Sequence, residues 1–417
     1  MSALIETAHI RKLLNSRGEE TVEVVIQTES SIGAAIAPSG ASRGFHEALY
    51  LPKNGIDEAI RRFRNEVAPE LIGMDALDQC AIDSLLSEID GSNNFSKLGG
   101  AVAIATSMAN LWAAANALGI PLYRYIGGLN AKRLPLPLGN IIGGGKHALW
   151  RSIHFQEVLV VPLNPSDYRE AIKLVVDVHR KVAKILSKRD PHFAGGKNDE
   201  GAWVTRLGLK GALDVVKDAI RGVLEQYDSE VKMGIGIDVA ASSFWNQNDG
   251  TYRYEGKIME PAKHYDFISQ LIEEYQLVYI EDPFHEEDFD SFSQLAREYR
   301  DILVVGDDLF VTNVKRIRIG IERRAANAVV IKPNQVGTIT GTLEAVRLAR
   351  DHMYKIIVSH RSGETNDFTI AHLAVGLDAP IIKTGVMGGE RIAKHNELLR
   401  IEEELDASAS IWNLSFK

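Results

Sequence analysis

One cysteine, Cys80, in 417 residues excludes an internal disulfide and any thiolate metal cluster, and is compatible with a reducing compartment. Basic residues are outnumbered, 47 Lys and Arg against 56 Asp and Glu, for a net charge of -9. No basic stripe emerges, so a general nucleic-acid binder is not expected. The opening stretch MSALIETAHIRK lacks the basic segment, apolar run and cleavage site of a secretion signal, and no later apolar run reads as long enough to span a bilayer. The cytoplasm is the expected compartment. Nucleotide motifs are missing too. GGGKH has no Ser or Thr after its lysine and lacks the first glycine of a phosphate loop, and GIGID has an acid where a dinucleotide fingerprint needs its third glycine.

What is present is a chain too long for one ordinary core, with 45% hydrophobic and 25% charged residues, the composition of a globular protein. TVEVVIQTE and SIGAAIAPSG read as neighbouring strands, followed by helical IDEAIRRFRNEVAPEL, DQCAIDSLLSEID and the Ala-rich AVAIATSMANLWAAANALG. Strands followed by helices indicate an α+β unit, and the proline-bearing AKRLPLPLGN marks the boundary, giving domains 1–130 and 131–417. Beyond it, eight apolar runs (LPLGNII, FQEVLVVP, KMGIGIDVA, LVYIEDP, ILVVGDD, NAVVIKP, KIIVSH and PIIKTG) alternate with amphipathic helical stretches such as DYREAIKLVVDVHRKVAKIL and ERIAKHNELLRIEEEL. Eight such runs suggest a closed parallel β/α barrel.

The informative residues are those at the strand ends. Glu157 sits within FQEVL, while Asp238, Glu281, Asp307, Lys332, His360 and Lys383 each close a run. In a β/α barrel those ends share the face where loops converge side chains from distant strands. Three acids there, Asp238, Glu281 and Asp307, offer hard oxygen ligands that suit Mg2+, with Mn2+ as substitute and zinc disfavoured; helix capping is the alternative, and for Asp282 and Asp308 the better one. Lys332 and Lys383 face the same site, and desolvation beside a metal would let one titrate low enough to act as a base. A base next to a metal suits proton removal beside a carboxylate. Glu200, with Asp199, lies in the glycine-bracketed loop GKNDEGAW as a second acid/base group. Arg361 and Ser362 in VSHRSGET make a pocket for a phosphate. APSGASRGFHEAL has the composition of a mobile loop, and NIIGGGKHALW that of a tight turn carrying His147.

Together PSGAS, the GDD after an apolar strand, IEDPF, SHRSGET and LLRIEEEL resemble the enolase family, over nearly the whole chain from NSRG to RIEEEL. The resemblance implies an α/β fold, a C-terminal β/α (TIM-like) barrel of enolase type and unusual strand order with an N-terminal α+β capping domain. It also implies the reversible dehydration of 2-phosphoglycerate to phosphoenolpyruvate of glycolysis and gluconeogenesis. By the same resemblance Asp238, Glu281 and Asp307 hold a first Mg2+, and Lys332 takes the C2 proton. Lys383 pairs with the substrate carboxylate, and Glu200, supported by Glu157, protonates the departing C3 hydroxyl. Arg361 and Ser362 hold the phosphate with a second Mg2+ to which Ser42 contributes, and His147, Gln156 and His360 line the substrate. Homodimers, some assembling into octamers, are the family's usual state. Arg43 stands where the family usually has threonine, SRGEET where it has SRGNPT, and EALYLPKNG lacks the usual ELRDGD. A related acid-sugar dehydratase and a non-catalytic binding relative are the competing readings; Arg361 and Ser362 argue against the first, and the full set of acid, base and metal positions against the second.

Overall fold

The computed structural model describes residues 3–40, 46–227 and 230–414, so Ser42 and Arg43 lie outside the described residues. The chain opens with an antiparallel sheet of β1 (Ile5–Leu14), β2 (Glu20–Thr28) and β3 (Ile32–Ile36) in that order. Only β2 and β3 are legible in the sequence. β1 is hidden because a bulge between Ile5 and Thr7 breaks the two-residue alternation, leaving Ile5 and Ile10 as its buried positions.

Helices α1 (Gly55–Arg62), α2 (Gln79–Asp90) and α3 (Gly100–Leu118) follow. Asp78 caps α2 by accepting from the Ala81 amide, and α3 stops at Gly119, whose φ of 66° few other residues adopt cheaply. α3 corrects one expectation, because at 19 residues it is long and apolar enough to cross a bilayer. It serves instead as a core helix, 83% buried within the protein. Alanines give it a smooth face, and Gly33 of β3 lets the sheet come close: a Cβ there would lie 2.1 Å from the Ala109 carbonyl oxygen.

The larger unit is a closed barrel of eight strands: β4 (Leu136–Gly143), β5 (Glu157–Pro162), β6 (Met233–Asp238), β7 (Tyr279–Glu281), β8 (Leu303–Gly306), β9 (Ala328–Ile331), β10 (Lys355–Ser359) and β11 (Ile381–Gly385). Each coincides with one of the eight apolar runs, β4 extending one residue past its run to Gly143, and each pairs with the next, β11 closing on β4. The expectation of a parallel barrel holds except at β5, which is antiparallel to both neighbours. Only a single 3-10 turn, Gly145–Ala148, lies between β4 and β5, too short for a parallel crossover, so the chain returns as a hairpin. Two helices, α4 (Tyr168–Arg189) and α5 (Gly208–Leu224), separate β5 from β6. The outer layer continues with α6 (Pro261–Tyr275), α7 (Phe289–Glu298), α8 (Val314–Arg323), α9 (Ile339–Asp351), α10 (Thr369–Gly376) and α11 (Gly389–Leu405).

The N-terminal unit sits against the loops at one end of this barrel. Ser39 and Gly363 exchange both backbone hydrogen bonds at 2.8 Å, Ser16 donates to the Glu364 carbonyl at 2.7 Å, and the Ile36 amide donates to Asp367 at 3.0 Å. Those are the loops that follow β10, so the cap covers the strand-end face.

Three histidines outside that face are buried: His179 donates to the Gly201 carbonyl, His264 to Pro283 and His395 to Gly385. Burial holds each down to about 4. Between pH 6.5 and 4 the unfolded chain therefore binds a proton at each site that the folded chain refuses, so stability falls on acidification, by up to about 1.4 kcal/mol per pH unit per histidine. His264→Gln removes one such site and should flatten the dependence of the urea midpoint on pH across that window; a slope as steep as the parent's would contradict the assignment.

Candidate functional site

Cross-strand register sets out the first half of the site. Glu157 lies opposite Asp238, and Asp238 opposite Glu281, so three carboxylates stand in one row on β5, β6 and β7. Neighbouring strands are about 4.8 Å apart, and all three residues are at most 1% exposed. The reversal of β5 is what brings Glu157 into the row: it is the first residue of its strand, whereas Asp238 and Glu281 are the last of theirs.

Such a row demands cations. Lys383, the middle residue of β11, reaches it with its ammonium 2.9 Å from Glu157, 2.8 Å from Asp238 and 2.7 Å from Glu281. Burial alone would lower this lysine, but Asp238, Glu157 and Glu281 outweigh it and hold Lys383 well above its ordinary value. Burial and the Asp238 charge push Glu281 up to about 8 even so, which marks a carboxylate cluster short of positive charge. Asp307 follows β8, and its carboxylate pairs with the Lys332 ammonium. Burial would lower Lys332 as well, yet the Asp307 carboxylate beside it holds it above its ordinary value. Lys332 can shed its proton near neutrality only when the Asp307 charge is engaged elsewhere.

These carboxylates fit a hard divalent cation. Oxygens of Glu281, Asp282 and Asp307 lie within 4.8 Å of one another. Asp282 is committed elsewhere, since its two oxygens accept from the amides of Asp307 at 3.1 Å and Asp308 at 2.7 Å, the local role read for it in the sequence. Asp238 adjoins Glu281 through their common contact with Lys383, so Asp238, Glu281 and Asp307 are carboxylates that could offer oxygens to one ion. Ser42 lies outside the described residues.

The acid/base side gathers around Asn140, a β4 residue that sequence reading passed over. Its side-chain amide donates to Glu157 and to Glu200, each at 2.9 Å. Two carboxyl groups so close and so buried cannot both be ionised. Burial, with the Glu200 charge, pushes Glu157 well up; burial acts on Glu200 too, but His147 and His360 overcome it and hold Glu200 well down. The two groups are thus driven in opposite directions, Glu157 towards its protonated form and Glu200 towards its ionised one. His147 contacts Asp199 at 2.9 Å and Glu200 at 3.7 Å through Nδ1; against burial, Glu200 and Asp199 raise it. Gln156 donates to Asp238 at 3.1 Å. The loop bearing Glu200 is possible because Gly201, at φ 82°, lets the backbone approach Met387, where a Cβ would lie 2.1 Å from a carbonyl oxygen.

His360, Arg361 and Ser362 follow β10 and are all buried. Arg361 is held by Glu47 at 3.0 Å and Asn334 at 2.9 Å. Glu47 also faces Gln335 at 3.4 Å, and Gln335 donates to Asp307 at 3.0 Å. Thr312 completes the chain, donating to Gln335 at 2.7 Å and accepting from the Lys332 amide at 2.9 Å. Glu47, Thr312 and Gln335 carry no signal in isolation; GFHEAL and KPNQVG read only as loop and turn.

Every proposed site residue within the described part therefore converges on one face. A family profile described as "Enolase, N-terminal domain" matches residues 5–126, and one described as "Enolase, C-terminal TIM barrel domain" matches residues 131–416. Among curated relatives, an enolase of Pyrobaculum aerophilum is 51% identical over 416 residues, covering 98% of this chain and 99% of the relative. Enolases of Methanothermobacter thermautotrophicus and Archaeoglobus fulgidus are 47% and 46% identical, with 97–98% of this chain and 98% of each relative covered. Two profiles in the right order and near-complete alignments of this identity place the chain in the enolase family.

Proposed function

We infer that the chain is a hydro-lyase that interconverts 2-phosphoglycerate and phosphoenolpyruvate, with Lys332 as base and Glu200 as acid. The observation that carries the residue assignment is topological. β9, which leads into Lys332, and β5, which starts at Glu157, are four positions apart in a ring of eight, so base and acid pair stand across the site with Asp238 and Glu281 between them. Elimination across a C2–C3 bond calls for that arrangement.

Neutral Lys332 takes the proton from C2, the electron pair becomes the C2–C3 double bond, and the C3 hydroxyl leaves as water with the proton Glu200 gives it. Glu157, hydrogen-bonded through the same Asn140, keeps a proton available to Glu200. Lys383 turns its ammonium to the substrate carboxylate, and Arg361 with Ser362 takes the phosphate, exchanging part of the Glu47 contact for it. His147, Gln156 and His360 line the cavity between. Mg2+ held by Asp238, Glu281 and Asp307 would supply positive charge against the charge building on the substrate carboxylate, and a second Mg2+ at the phosphate would be shared with Ser42. Retention of Arg361 and Ser362 beside the acid/base groups disfavours an acid-sugar dehydratase and a non-catalytic role. Assembly as a homodimer, or as an octamer of such dimers, is carried by family membership, and a cytoplasmic location by the exposed, unbridged Cys80.

Absorbance of the enol phosphate product should rise when purified protein meets 2-phosphoglycerate and Mg2+, and stop on adding a chelator; metal-loaded protein with no turnover would sink the reading. The two steps separate in variants. Lys332→Ala should lose turnover and exchange of the C2 proton with solvent together, by at least about 100-fold. Glu200→Gln should lose turnover to a similar degree while retaining C2 exchange. Exchange surviving in Lys332→Ala would move the base elsewhere.

A further inference from the structure

Arg391 opens α11 and is wholly buried, yet no part of the reaction above uses it. Its guanidinium joins the acid loop to the segment that follows β10. One terminal nitrogen lies 2.7 Å from Nδ1 of His360 and 2.6 Å from the Arg361 carbonyl oxygen. The other lies 2.6 Å from the Ser362 carbonyl oxygen and 3.1 Å from that of Asp199, the residue before Glu200. Three carbonyls from two loops thus end on one side chain, and Gly385 makes room for it: a Cβ there would meet the Glu200 carbonyl oxygen at 2.2 Å and Cγ of Arg391 at 3.1 Å.

The contact with His360 has a chemical consequence. A guanidinium has only donors to offer, and so has a peptide N–H. Nδ1 of His360 receives both, from Arg391 at 2.7 Å and from the Gly385 amide at 3.3 Å. Nδ1 must then be bare, and the ring proton sits on Nε2, which lies 3.9 Å from the Glu200 carboxylate. Thr384, whose hydroxyl also lies 3.3 Å from Nδ1, can donate and so accommodates this state. The charged groups facing the ring are Arg391, Glu200, Lys383 and Lys332.

We propose that Arg391 is a positioning residue that fixes His360 as a neutral Nε2–H donor aimed at Glu200, while tying the acid loop to the phosphate-binding segment. His360 then supports the carboxylate left when Glu200 has given up its proton, and does not compete with it as a base. The assignment also removes His360 from metal ligation, although its ring nitrogen lies within 4.8 Å of oxygens of Glu157 and Glu200. It rests on the reading of Glu200 as the acid.

The test is nitrogen NMR of the full-length protein labelled at histidine, with the His360 signals identified by their loss in His360→Gln. The parent should show a proton on Nε2 and none on Nδ1 from pH 8 to 6. Arg391→Met should show the doubly protonated ring appearing over that range, with kcat lower on the order of 100-fold and a new acidic fall in its pH profile. Arg391→Lys, whose ammonium also only donates, should keep the parent's ring pattern and recover at least about tenfold of the lost kcat. A proton on Nδ1 in the parent overturns the proposal even if Arg391→Met does not fold, as does an unchanged ring in folded Arg391→Met. Failure of the parent to turn over 2-phosphoglycerate would remove the function while leaving the ring assignment standing, so the two are told apart.

Discussion

The charge balance between Lys383 and the row of Glu157, Asp238 and Glu281 is the constraint on which the rest of the site depends. Three carboxylates on adjacent strands, almost without exposure, would repel one another and could not be solvated. One ammonium within 2.9 Å of all three makes the arrangement tolerable, and it comes from β11, which the ring brings across to meet them. The compensation is incomplete, as the raised carboxyl of Glu281 shows. A site left short of positive charge suits a divalent cation, and beside it the Lys332–Asp307 pair puts a lysine's basicity under the control of a further carboxylate.

From that row the remaining parts are linked by neutral side chains. Asn140 joins the two carboxyls of the acid side. Gln335 joins Asp307 to Glu47, which in turn holds Arg361, so a metal-ligand candidate and a phosphate-site candidate share one hydrogen-bonded chain. Amides suit this work because their hydrogen bonds carry no net charge into an already crowded field and persist whatever the protonation of the neighbouring acids. The N-terminal unit enters through Glu47 and through the paired Ser39 and Gly363, which makes the cap part of the site's wall.

Much of this was readable in one dimension. The apolar runs correspond to the barrel strands because a strand buried on both faces has to be apolar along its length. The polar residues that close them stand out for the same reason. β5 was legible as a strand but not in its direction, for EVLVVP reads alike either way along a barrel wall. The available clue was the want of an amphipathic helix between Ile142 and Glu157, which a parallel crossover could not do without. β1 escaped because its bulge destroys the period that would have announced it.

By itself the sequence determined the kinds of chemistry at hand: hard oxygen donors, two lysines, an acid in a glycine-bracketed loop and an arginine beside a serine, all on segments whose periodicity sends them to one end of a barrel. Only the tertiary structure decided which acid answers which cation, that Asp307 pairs with Lys332, that Asn140 joins Glu157 and Glu200, and that Arg391 meets Nδ1 of His360. The reason is physical. Charge coupling and hydrogen bonding depend on separations of a few ångströms and on burial, and residues as far apart in the chain as Glu157 and Lys383 acquire both only when the barrel closes.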